Sequence, residues 1–249
     1  MQVLKIVVEG VTTSFRYPHF VQGIQPTFEM PPPATIYGHI CSALGELVEP
    51  HGIAFAYHFT TSGKVDDIEH VHVLAQSSGK LPGTKHPKVL EGGINPFKRT
   101  LLFQPCLTLY INRPEWLQAF RSPRYAVVLG RSQDLCSYTF VEVLDLPEAE
   151  SVYFEHTLLP YTMATQMRTG VVVSMPRYLD TSHNRAPTFD RYLMLQQRVW
   201  SKELFQFGST DPRYFIDPQS PSYQGVQRGL VFHRFVEDDH VPHSLAQLA

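Results

Sequence analysis

Four places in this sequence bring together side chains able to hold a phosphate or stack on a base. At Phe15-Arg16-Tyr17 a guanidinium stands between two rings, which suits a phosphate contact combined with stacking. An ordinary surface arginine beside two core aromatics is the competing reading. Between Gln76 and Leu101, Lys80, Lys85, Lys88, Lys98 and Arg99 stand against one acid, Glu91, with His86 among them. That run either supplies several salt-dependent phosphate contacts or is a solvated face. Arg131, Ser132 and Gln133 follow Gly130 and offer donors on a loop, with Asp134 placed to orient one of them. The alternative there is a turn closed by a buried ion pair. Finally, Pro31, Pro32 and Pro33 precede a helical pattern. First-turn N–H groups and the Thr35 hydroxyl could meet an anion, or the prolines simply stiffen the helix start. Tyr37, beside Ile36 on the apolar side, divides between core and ligand.

Other chemistry is poorly supplied. His70 and His72 face one side of a strand, a spacing compatible with metal, but no third ligand is evident, and a half-exposed strand accounts for them. Cys41, Cys106 and Cys136 are odd in number and far apart, which supports neither a disulfide framework nor a zinc ribbon and fits a reducing cytoplasm. The helical pattern buries Cys41, a poor setting for a nucleophile. GxSxG, P-loop and HExxH strings are absent. No catalytic residue, metal or cofactor is expected.

The elements that must position these residues read as an α+β chain. Val3, Ile6 and Val8 mark a first strand ending at Gly10, with an apolar run too short for a secretory signal. PPPATIYGHICSALGELVEP is the clearest helix, with Ile36, Ile40, Cys41, Leu44, Leu47 and Val48 on one face and His39, Ser42, Glu46 and Glu49 opposite. Gly38 and Gly45 share a stripe, which predicts close approach of another backbone. IAFAYHFTT, HVHVLAQ and LLFQPCLTLYI read as strands, RPEWLQAFRSP as a short helix, and YAVVLG and TFVEVLDL as further strands. The basic segment then falls at the tip of a long hairpin or in an inserted loop. Over residues 1–130 the order is βαββαβ, two helices on one face of a four-stranded sheet, whose open face commonly receives single-stranded RNA. SVYFEHTLLP, TGVVVSMP, DRYLMLQQRVW and GLVFHRF add strands, and the tail from Glu237 is expected to fray. The domains expected are 1–145, carrying an insertion at about 76–102, and a β-rich region 146–249.

Composition constrains the partner. With 249 residues, 43% apolar and 18% charged, the chain is a folded protein, and a net charge of −2 excludes a general polyanion coat. Twenty prolines, 15 glycines and 12% aromatics favour turns and strands over long helices. Divided along the chain, the charge is −2 for residues 1–60, +5 for 61–131, −6 for 132–160 and +1 for the rest, so any nucleic-acid site is local. No stretch reaches the ~20 apolar residues that cross a bilayer.

PPPATIYGHICSALGE resembles the signature first helix of a CRISPR-associated RAMP protein, Cas family five, the subunit that caps the guide RNA 5′ end in type I Cascade. VVLGRSQDL resembles that family's Gly-Arg-Ser-x-Asp-Leu string, and the segment around Phe15 and Arg16 its loop after the first strand. The resemblance, best to the type I-B form on length, implies a non-catalytic ferredoxin-like (RRM-like) subunit with a protruding β-hairpin, the thumb. It implies as partners the crRNA 5′ handle, the Cascade large subunit and the backbone subunit, with target DNA reached through the complex. Phe15, Arg16, Pro33, Tyr37 and Arg131 through Asp134 lie on matching positions. Segment 79–99 matches the thumb by location and character. Two other functions stay open. A metal-independent endoribonuclease could draw on Tyr57, His58, His19, Lys98 and His86, although no adjacent Lys-His pair follows the hairpin as in nuclease-type relatives. A scaffold binding only protein is the other.

Overall fold

The computed structural model describes residues 1–20, 23–204 and 213–237, without the side chains at 76, 78 and 89–92. The frayed tail expected beyond Glu237 lies outside the described residues. Strands dominate and helices are few. β1 (Gln2–Gly10) sits inside a five-stranded sheet between β5 (Cys106–Ile111) and β6 (Cys136–Asp145), with β2 (Ala54–Thr60) beyond β5. Every pairing in this sheet is antiparallel, and the short strand His233–Arg234 adds to the β2 edge. The fourth strand of the leading unit is thus TFVEVLDL and not YAVVLG. Positive φ at Gly130 turns the chain there, leaving only the isolated bridge Val128–Leu135 before β6.

Helix α1 (Pro33–Leu44) covers one face of the sheet, burying Ile36, Tyr37, Ile40 and Cys41 against Leu4, Ile6, Phe55, Tyr57 and Leu109. It ends earlier than its apolar pattern. Gly45 takes φ +84° and donates to Cys41 O, and a Cβ there would lie 2.4 Å from Arg124 Cγ, so the expected close approach is made by a side chain. Gly38 is exposed with nothing near it, against expectation. His39 is buried, not on the polar face: its Nδ1–H donates to Val128 O, and Nε2 accepts from the Tyr138 hydroxyl. After Pro114–Trp116, α2 (Leu117–Arg121) inserts Phe120 into the same core.

Residues beyond 146 complete both faces. Leu158, Met175, Tyr192, Met194 and Phe235 join the α1-side core. On the opposite face Val3, Ala56 and Tyr110 pack against Leu146, Leu230 and Phe232, so the face expected to be open is roofed at this end. Lys5 reaches Asp217 at 2.6 Å across it, and the Tyr110 hydroxyl donates to the same carboxylate. Burial on both sides explains why β1 reads as a nearly continuous apolar run.

The long hairpin is larger than the inserted loop expected at 76–102. Its arms are β3 (Gly63–Lys80) and β4 (Pro87–Phe103), so HVHVLAQ is part of one arm and not a strand of the main sheet. At ~3.3 Å per residue the arms extend on the order of 50 Å. Gln104, at φ +48°, and Pro105 separate β4 from β5, breaking the run LLFQPCLTLYI in two.

Candidate nucleic-acid interface

Three of the four segments singled out by sequence meet at the base of the hairpin. Thr12–Thr13 pairs with Leu102–Phe103, and the Ser14 hydroxyl donates to Thr100 O. On its other side the same segment meets the 129–134 loop: Thr13 Oγ1 donates to Leu129 O, and Thr12 Oγ1 to Asp134 Oδ1. Contact is so close that a Cβ on Gly130 would stand 2.5 Å from Thr13 Oγ1 and 2.8 Å from Ser14 O. Within the loop Arg131 Nε and Nη2 fork onto Asp134 at 2.9 and 2.8 Å, while Nη1 reaches Glu69 on β3 at 2.7 Å. Arg99 brings a second guanidinium to Glu69 at 2.9 Å. Asp134 is buried, and Arg131 and Arg99 are each only 16% exposed. Their donors therefore face carboxylates, the ion-paired turn that the sequence left open. Ser132 and Gln133 remain exposed on the outside of this loop.

Charge on the hairpin is divided along its length. Near the base, Lys98 pairs with Asp66 at 2.8 Å and Lys64 with Glu29 at 2.6 Å. Toward the tip Lys80, Lys85, His86 and Lys88 are all exposed, and none has an ion pair among the described residues. The turn holding them is closed by Leu81 N–H donating to His86 O. Of the six hairpin residues proposed to bind RNA, these four present unneutralised or titratable donors to solvent. Exposed cations without a carboxylate partner among the described side chains are suited to phosphate.

The aromatic candidates lie inward. Phe15 is buried edge-on against Phe59, and Tyr17 stacks on Phe28 with centroids 3.7 Å apart. Arg16 between them is exposed, has no partner among the described residues and points away from both. The Phe15 ring is therefore not available for stacking on a base, because alternation along this short strand sends it into the core. Pro33 is buried as well. Tyr37 is buried against Tyr178 and Phe235, its hydroxyl donates to Val48 O, and burial raises its pKa. At the helix start Thr35 N–H already donates to Pro32 O, and Pro33 has no N–H, so the expected row of outward first-turn donors is not formed. Thr35 stays half-buried.

Residues considered for RNA cleavage fall in separate places. The Tyr57 hydroxyl is buried and donates to Pro31 O, whereas His58 points to the other face of the strand, beside His156. Burial, with Arg228 and His156 nearby, pushes His58 down to about 3. His19 stacks on Phe189, Lys98 is held by Asp66, and His86 is at the hairpin tip. His70 and His72 share one side of β3 opposite Pro96 and Ile94, and no group of three or more metal-ligating side chains occurs among the described residues. Among the described residues no helix is long and apolar enough to cross a membrane.

Sequence reasoning missed Glu69, the acceptor shared by Arg99 and Arg131. Hairpin register was the available signal, since Asp67 and Arg99 are cross-strand partners and Glu69 is one pair further on the same face. A ladder of Tyr153, Arg198 and Tyr223 was also missed, because its members come from distant segments.

No protein-family model matches the sequence, and no curated protein matches it. Among solved structures, a chain of a CRISPR RNA-guided surveillance complex is similar over 80% of this chain and 92% of its own, with TM-score 0.53 and 14% identity. A CRISPR protein from Archaeoglobus fulgidus is similar over 94% of this chain and 100% of its own, with TM-score 0.48 and 9% identity. A chain of the type III-B Cmr-beta complex bound to cognate target RNA covers 81% of this chain and 87% of its own, with TM-score 0.44 and 12% identity. At such identities the likeness is one of fold, and the fold that this chain shares is that of a CRISPR surveillance-complex chain.

Proposed function

We propose that the chain is a non-catalytic subunit of a cytoplasmic CRISPR RNA-guided complex, in which its long hairpin and Arg16 hold the 5′ handle of the guide RNA. The observation that carries this reading is the hairpin itself. Its base cations are neutralised by Asp66 and Glu69, while Lys80, Lys85, His86 and Lys88 toward its tip face solvent with no ion pair among the described side chains. A two-stranded arm ending in cations suits the backbone of a few nucleotides and not a long duplex. Supporting it are the sheet order β6-β1-β5-β2, the order of a ferredoxin-like unit, and the shared fold with the surveillance-complex chain. Cas family five of type I, in its I-B form, is the finer assignment. The acidic 132–160 stretch then faces protein, namely the large subunit or the backbone subunit, and target DNA is reached through the assembled complex.

The test is photocrosslinking of the full chain to repeat-derived handle RNA containing 4-thiouridine, with the RNA length followed in the same samples. Crosslinked peptides containing Arg16 and residues 80–88, with intact RNA, are expected. Crosslinks confined to other segments would contradict the interface, and site-specific cleavage abolished by His58→Ala would replace it with a nuclease.

A further inference from the structure

Outside the hairpin, the C-terminal region displays an aromatic ring on a stiff support surrounded by cations. The Arg198 guanidinium lies 4.8 Å from the Tyr153 ring centroid and 3.9 Å from that of Tyr223, and donates to Glu155 at 2.7 Å. Tyr153 is the fixed inner rung: it is buried, and its hydroxyl donates to Pro221 O. Tyr223 is the outer rung, 45% exposed. Trp200 flanks both rings at 5.9 Å. The backbone of Tyr223 is held by reciprocal hydrogen bonds with Val226, across a turn whose central residues Gln224 and Gly225 both take positive φ. An exposed ring on so tight a turn loses little freedom when something stacks on it.

The cations around this ring are not all neutralised. Glu155 answers Arg198, and Glu203 accepts from the Trp200 N–H. Lys202 is exposed above the Trp200 ring without a carboxylate partner among the described residues. Arg228 lies two residues past the turn, its backbone bridged to Tyr153. Its Nε is buried and has no acceptor among the described residues. Its charge acts on His58, His156, Cys106 and the buried Tyr110, which places it toward the sheet and not beside the Tyr223 ring.

We propose that this ladder is a second single-stranded RNA surface, with an unpaired base stacked on the outer face of Tyr223 and an adjoining phosphate on Lys202. It rests on the RNA-binding reading above and extends it to a surface separate from the hairpin. An aromatic face offered beside an exposed cation is the combination that single strands use irrespective of sequence. A protein contact at the same ring would instead call for an apolar rim.

Fluorescence anisotropy of the full chain with a labelled, unstructured RNA octamer tests the assignment. Tyr223→Ala weakens binding about fivefold or more, the size of one lost base stack. Tyr223→Trp retains binding, and Tyr223→Leu, which keeps bulk without a π face, shows the same loss as Ala at an unchanged melting temperature. A parallel variant with Lys80, Lys85 and Lys88 all changed to Gln separates the two surfaces. If that variant loses affinity while Tyr223→Ala binds like the unaltered chain, the ladder is not an RNA surface and this inference alone falls. If the unaltered chain binds no RNA, both readings fall.

Discussion

The guanidinium of Arg131 divides its donors between Asp134 and Glu69, and Arg99 brings a second cation to that same Glu69. Removing the Arg131 side chain leaves the buried Asp134 carboxylate, among the described residues, with the backbone N–H of residue 131 and the Thr12 hydroxyl. A partly compensated buried charge of this kind costs about 2–4 kcal/mol. Arg131→Ala is therefore expected to lower the urea unfolding midpoint clearly, whereas Arg16→Ala, at an exposed site without a partner, leaves it unchanged. Equal midpoints for the two variants would contradict the anchoring role. Arg16 and Arg131 look alike in a linear string, and nothing there reveals that Glu69, on a different strand, closes the network around one of them. The same limit applies to Phe15 and Tyr37. Their types suit stacking on a base, and only their direction into the core decides otherwise.

At the scale of elements, the strongly periodic pieces were legible: β1, β2 and the short α2 form where their apolar spacing places them, and α1 does so up to Leu44. Misread elements share a cause, which is that alternation marks a strand without naming its partner. HVHVLAQ alternates because it is one arm of a two-stranded hairpin, and YAVVLG is apolar because Val127 and Leu129 pack into the α1-side core and not because it joins the sheet. That loop is fixed by Gly130, at φ +91° and in contact with the Ser14 backbone. Gly130→Ala combines a strained dihedral with overlap against main-chain atoms and is expected to cost roughly 2–3 kcal/mol. Equilibrium unfolding would check it, and a change below about 0.5 kcal/mol, the usual range of a neutral surface substitution, would argue against the close packing.

Across the whole molecule, segments far apart in sequence are joined in shared cores, and these cores hold neutral histidines. The Nε2–H of His233 donates to Leu158 O, and burial pushes this imidazole down to about 4; His39 and His58 are lowered by burial too. In the unfolded chain the same groups take up protons near pH 6.5. Stability is therefore full above about pH 6.5 and is lost as pH falls toward the folded-state values, by about 2 kcal/mol at pH 5 for His233 alone. Urea midpoints at pH 7.5 and pH 5 should differ accordingly, and identical midpoints would mean that these histidines are not held neutral. Charge has a molecular pattern as well. The net −2 conceals +5 over residues 61–131 and −6 over 132–160, and ion pairing at the hairpin base concentrates the remaining positive charge at the tip. That concentration is the core of the account. Its most direct test is the salt dependence of handle-RNA binding by the full chain, compared with a variant carrying Gln at 80, 85 and 88. Loss of three phosphate contacts should flatten the slope of log K against log salt by about 2 and weaken binding at low salt. An unchanged slope and affinity would contradict the claim that the hairpin tip holds the RNA.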